Sequence, residues 1–183
     1  MKRRSREEKL LEIIEKDIPD EIGFNGEEYF FAGWKFEYGI DAGKDFSLAV
    51  KAYELAFHKG YSKATKVLGD IYKKNADLEK AYKWYLEGLL QEKPDSNSAF
   101  GLAMMYHEGE YVSQNYYKAR TYFELAYEEG NCKSAYYLGM YYENGIAVAK
   151  DQHKALEYYT SGADRFEDTC RDAVKRIRRH INE

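Results

Sequence analysis

The stretch AYYLGMYYENGIAVAKDQHKALEYYTSGA, Ala135 to Ala163, decides the fold. Six tyrosines crowd into residues 136–163 beside lysines, a histidine and carboxylates, a composition that could mark a ligand site or simply a way of packing. Spacing favours packing for most of it. Gly139 directly follows Leu138, and Tyr142 lies three residues on, while Ala155 precedes Tyr159 by four. Separations of three and four place side chains on one helical face. Between the two runs, Gly145 suits a left-handed helix end and Asp151 suits an N-cap. The stretch therefore predicts a helix, a loop and a second helix.

The same arrangement recurs outward along the chain. AGWKFEYG (Ala32 to Gly39), LGDIYKKN (Leu68 to Asn75), LAMMYHEG (Leu102 to Gly109) and LGMYYENG (Leu138 to Gly145) start 36, 34 and 36 residues apart. Each is followed by a second block: SLAVKAYELA, EKAYKWYLEG, YKARTYFELA and HKALEYYTSG. In the first block a small residue (Gly33, Gly69, Ala103, Gly139) precedes an aromatic (Phe36, Tyr72, Tyr106, Tyr142) by three. In the second, Ala49, Ala81, Ala119 and Ala155 each precede Tyr53, Tyr85, Phe123 or Tyr159 by four. A glycine inside a helix costs about 1 kcal/mol relative to alanine, so its return at one position predicts close approach of the partner helix near the alanine. Asp45, Asp77, Asn115 and Asp151 are placed to cap the second helices, and Gly39, Asn75, Gly109 and Gly145 to end the first ones in left-handed conformation.

One such pair cannot bury its apolar face alone, whereas stacked pairs share a continuous core. The fold class expected is all-α: an α/α superhelix, a right-handed solenoid of about four helix-turn-helix repeats with terminal capping helices. The whole of 1–183 reads as one domain, with an N-terminal helix and linker over 1–24, four repeats over 25–166 and a capping helix over 167–183. REEKLLEIIEKD, before the break at Ile18 and Pro19, and EDTCRDAVKRIRRHI each carry one apolar stripe and one charged face.

Composition narrows the function classes. Apolar residues make up 44% and charged residues 33%, which suits a folded chain rather than a disordered one. A net charge of −4 argues against a dedicated nucleic-acid binder. No apolar run reaches the roughly 18 residues of a membrane span, and Glu12 and Glu15 interrupt the only signal-like run, so a cytoplasmic protein is expected. Cys132 and Cys170 form no CxxC pair and read as free thiols in a reducing compartment.

Chemistry is sparse. GIDAGKD (Gly39 to Asp45) has neither the spacing nor the hydroxyl of a phosphate loop, and it coincides with GEYVSQN and GIAVAKD in later copies. His58, His107, His153 and His180 form no metal-binding pair, and Lys80, Lys118 and Lys154 recur as structural or solvated positions. No nucleophile signature is present. No catalytic residue, metal site or cofactor is therefore assigned.

Taken together, the recurring residues resemble Sel1-like repeats, a branch of the tetratricopeptide-like helical repeats. The match runs from about residue 29 to 166. It is closest in AYYLGMYYENGIAVAKDQHKALEYYTSGA and nearly as close in AFGLAMMYHEGEYVSQNYYKARTYFELAYEEG. Departures are Ala32 and Leu48 in the first copy, Asn75 with a loop shorter by four residues in the second, and Phe166 in the fourth. The resemblance implies a non-catalytic scaffold or adaptor binding a protein or peptide on the concave face, which the first helix of each pair lines. Carried over by register, the contact positions are Phe30, Lys66, Phe100 and Tyr136; Trp34, Asp70, Met104 and Met140; and Glu37, Lys73, His107 and Glu143. Trp34, Met104 and Met140 directly follow the packed small residue and are expected to point away from the paired helix as an adaptable apolar patch. The competing reading packs them between repeats. Two other functions stay open: an enzyme or regulator of cell-envelope metabolism, which the resemblance also allows, and binding of an anionic surface through the basic ends KRRSREEK and RDAVKRIRRH.

Overall fold

The computed structural model describes residues 5–17, 19–40, 43–164 and 168–181. Phe166, Ile18, the Asp41 and Ala42 of GIDAGKD, the basic residues Lys2 to Arg4, the His180 side chain and the boundary expected at 166/167 lie outside the described residues. Ten helices follow one another among those described: α1 (Arg6–Lys16), α2 (Gly26–Tyr38), α3 (Phe46–His58), α4 (Ala64–Lys74), α5 (Leu78–Leu89), α6 (Ser96–Glu108), α7 (Tyr116–Glu128), α8 (Cys132–Asn144), α9 (Gln152–Asp164) and α10 (Asp168–Ile181). α2 pairs with α3, α4 with α5, α6 with α7 and α8 with α9. Each second helix also packs on the next first helix, and α10 sits on α9 and α8 as a further first helix would. The chain is an all-α solenoid of stacked helix pairs.

Boundaries follow local chemistry. Asp45 accepts from the backbone N–H of Ser47 and Leu48, Asp77 from Lys80, Asn115 from Lys118 and Asp151 from Lys154, satisfying donors that the first turn leaves free. Gly39, Gly109 and Gly145 end their helices at φ 71°, 75° and 73°. The second repeat departs from expectation. Asn75 stays at φ −88°, its N–H bonded to the Ile71 carbonyl, and Ala76 takes the left-handed conformation at φ 61°. With four residues missing from the loop, the chain must reverse directly before the Asp77 cap, at a cost of about 1–2 kcal/mol for a non-glycine residue.

The recurring glycines meet the rings of the second helices directly. A Cβ on Gly33 would stand 2.8 Å from the ring of Tyr53, one on Gly69 2.3 Å from Tyr85, and one on Gly139 2.6 Å from Tyr159. The missing side chain thus makes room for the tyrosine ring four residues after the alanine. Tyr53, Tyr85, Phe123 and Tyr159 are all buried, as are Ala49, Ala81, Ala119 and Ala155. Each buried ring is worth about 1.5–3 kcal/mol of apolar burial, which more than offsets the helical glycine.

Candidate functional site

α2, α4, α6 and α8 present their outer faces side by side, with α4 touching α6 directly. Three hollows open on this surface. The largest, about 630 Å³, lies between α4, α6 and the start of α8, with Phe100 and Met104 on its floor and Lys66, Asp70, Lys73 and Lys133 around it. A second, about 500 Å³, opens where α4 and α6 begin and is edged by Lys63, Lys93 and Glu129. The third, about 210 Å³, lies between α2 and α4 and is walled by Phe30, Trp34, Tyr38 and Phe46, with Glu37 and Asp70. Lys66 borders all three, so they adjoin one another as a trough along α2, α4 and α6.

Of the residues expected from sequence, Phe30, Trp34, Glu37, Lys66, Asp70, Lys73, Phe100 and Met104 line this trough. Trp34 is 38% exposed and stacks on Phe31, with ring centroids 5.5 Å apart. Met104 and Met140 are half-buried at the margin of the core around Leu138 and Tyr141. Tyr136, Met140, His107 and Glu143 fall outside the three hollows. Tyr136 packs on Tyr137 and Tyr159, while Glu143 accepts from Tyr159 Oη at 2.8 Å and from Arg176 at 2.6 Å.

Several of the charged groups are already engaged. Tyr53 Oη donates to Glu37 at 2.8 Å, and Tyr85 Oη to Asp70 at 2.7 Å, so these carboxylates hold the packed rings at their open ends. Burial pushes the hydroxyls of Tyr53, Tyr85 and Tyr159 well above the ordinary tyrosine value, and the neighbouring carboxylates push them further, so all three stay protonated donors. Asp70 also pairs with Lys66 at 2.5 Å. Lys73 reaches Glu108 and Glu110; burial works against its charge, but these two hydrogen-bonded partners outweigh that and raise its pKa.

The third repeat breaks the tyrosine–acid pattern. Phe123 has no hydroxyl, and His107 stands where Glu37 and Glu143 stand in the first and fourth repeats. His107 instead meets the next repeat, its Nδ1 lying 2.8 Å from Tyr141 Oη, within a cluster formed with Tyr116, Phe123 and Tyr137. Burial lowers its pKa despite the nearby Glu108, as befits a neutral ring packed among aromatics.

Sequence reading missed Lys63, Lys93 and Lys133 and the aromatics Tyr38 and Phe46. Lys63 and Lys93 stand at the turns between repeats and Lys133 in the first turn of α8, ahead of the contact positions carried over by register; the signal available was their place beside helix starts. Among the described residues, no group of three His, Cys, Asp or Glu side chains is placed to hold a metal ion, and no helix is long and apolar enough to cross a membrane.

Comparison with known proteins agrees with this architecture. A Sel1 repeat protein from Oxalobacter formigenes superposes with a TM-score of 0.72 at 25% identity, over 82% of this chain and 63% of that one. A protective antigen of uropathogenic Escherichia coli with an SLR fold superposes with a TM-score of 0.70 at 25% identity, over 88% of this chain and 34% of that one. The chain thus spans less than two thirds of either structure. No curated protein matches it. The family model described as Sel1 repeat matches residues 29–61, 68–91, 96–131 and 132–165, one segment for each helix pair, and the chain belongs to the Sel1 repeat family.

Proposed function

We propose that this chain is a non-catalytic scaffold that docks a protein or peptide partner in the trough along α2, α4, α6 and α8, the surface read as concave. Sel1 repeat proteins generally serve as protein-interaction scaffolds, which supports the class of function. The observation that carries the site is the joining of three hollows through Lys66, with the exposed Trp34 at one end and Phe100 and Met104 on the floor. Apolar and aromatic anchors inside a polar rim are the arrangement in which a few residues dominate binding. On this reading the Lys66–Asp70 pair and Lys73 set register rather than affinity. Cys132 and Cys170, which are not joined in a disulfide, fit a chain that works in the cytoplasm.

The basic C-terminal helix offers less support for anionic-surface binding. Arg171 pairs with Asp168, Lys175 with Asp172 and Arg176 with Glu143, so much of its charge is balanced on the protein itself.

Photo-crosslinking tests the site. A benzoylphenylalanine in place of Phe100 is expected to capture a partner from cells, and one in place of Tyr117, exposed on α7, is expected not to. Trp34→Ala should weaken that capture about tenfold or more, as expected for loss of an exposed aromatic anchor. Crosslinking from Tyr117 alone would overturn the assignment.

A further inference from the structure

The trough's charge runs against that of the whole chain. The protein carries a net −4, yet Lys63, Lys93 and Lys133 edge the two larger hollows, and among the described residues none of the three has a carboxylate partner. Of the acids nearby, Asp70 is paired with Lys66 and holds Tyr85, while Asp95, which accepts from the Ser98 N–H, and Glu129 are the rim's counter-charges.

The lysines also stand where they do not help the fold. Lys63 is the N-cap residue of α4 and makes no side-chain cap bond; Lys133 lies in the first turn of α8; Lys93 lies two residues before the Asp95 cap of α6. Helix starts favour anions and disfavour cations. The lysines that start the second helices are compensated differently: Lys80 pairs with Asp77 at 2.9 Å, and Lys118 and Lys154 cover the rings of Tyr106 and Tyr142 at 5.0 and 4.4 Å. Lys63 also lies over a ring, that of Tyr61, at the longer distance of 5.8 Å. Three cations without carboxylate partners, Lys133 beside Phe100 and Met104 in the largest hollow and Lys63 and Lys93 in the adjoining one, match a ligand that supplies both missing charges and an apolar side chain.

We infer that the partner segment is an acidic extended peptide, its carboxylates meeting Lys63, Lys93 and Lys133 and an apolar side chain seated on Phe100 and Met104. This rests on the docking reading above and adds the chemistry of the partner to it. A long polyanion such as nucleic acid or an acidic lipid surface would use the charges but leave the Phe100–Met104 floor idle.

The test is fluorescence anisotropy on the full chain with short labelled peptides in which glutamates flank a Leu-Phe pair. Parallel peptides carry glutamine for glutamate, lysine for glutamate, or serine for the Leu-Phe pair. The acidic Leu-Phe peptide is expected to bind at least about tenfold more tightly than each of the others, and more weakly as salt rises. Lys63→Glu/Lys93→Glu/Lys133→Glu should lose at least about tenfold in affinity while its thermal stability is unchanged or raised, because anions suit helix starts. A triple variant that loses stability in step with binding gives the lysines a structural role and overturns the inference.

Equal binding of the glutamine peptide, with loss on Trp34→Ala and Phe100→Ala, removes the acidic chemistry and leaves the docking face standing. Acidic-peptide binding indifferent to Phe100→Ala and Met104→Ala removes the face as well. Displacement of the peptide by oligothymidylate or phosphatidylserine vesicles at matched charge makes the rim a general polyanion site and overturns the proposal, as does no binding of any peptide up to about 1 mM, the weak end of specific recognition.

Discussion

At Gly139 the space a side chain would need is already filled by the Tyr159 ring, 2.6 Å from where a Cβ would stand. The ring cannot easily withdraw: it is buried, and its hydroxyl is held by Glu143. Gly139→Ala should therefore lower stability in urea denaturation by about 1–3 kcal/mol of overpacking, partly offset by about 1 kcal/mol of helix propensity. Gly43, which has open space around it, serves as the control, and Gly43→Ala should change stability little. His107 gives a pH signature. Its pKa is lowered by burial from 6.5, so above that value the ring is neutral in both folded and unfolded chains. Below it the unfolded chain takes up the proton first, and stability falls with pH. Urea midpoints should drop as the pH goes from 6.5 towards 5, and His107→Gln should remove that drop. Asp45, whose pKa is lowered chiefly by the hydrogen bond it accepts from the Leu48 N–H at its cap, and Asp77, lowered first by the Lys80 side chain and then by the Lys80 N–H, should lose their contribution only at lower pH, below the ordinary aspartate value of 3.8.

Helices meet through the same small-against-large fitting. Gly162 on α9 faces Cys170 on α10, whose Sγ would lie 2.4 Å from an added Cβ, with Ala135 of α8 at 3.1 Å. Gly162→Ala should loosen α10 from α9 while leaving the other pairs intact. Hydrogen exchange is expected to show faster exchange across α10 with α2 to α7 unchanged; uniform acceleration along the chain would contradict this local coupling. Much of the element level was legible beforehand, because caps and periodicity are local properties. Asp45, Asp77, Asn115 and Asp151 were readable as caps from their distance to the next alanine. The left-handed turn at Ala76 was not readable from residue preference, and neither were those at Tyr111 and Ala147 in the longer loops.

Across the whole molecule, the ring of Tyr85 ties neighbouring repeats together. It fills the space at Gly69 within its own pair and lies 2.8 Å from where a Cβ on Gly101 of the next pair would stand. Because stability in a repeat array is close to a sum of unit and interface contributions, Tyr85→Ala should uncouple the two halves. A single unfolding transition should split in two, with a loss of about 3–5 kcal/mol for the truncated aromatic; a single, simply shifted transition would argue for uniform coupling. The sequence by itself determined the helix pairs, their order and their packing stripes, because spacings of three and four and the caps act within one or two turns of chain. Only the tertiary structure decided that Lys63, Lys93 and Lys133 edge one trough while Tyr136, Met140 and His107 lie outside it. Stacking brings together positions thirty or more residues apart, and no local periodicity records which of them will meet.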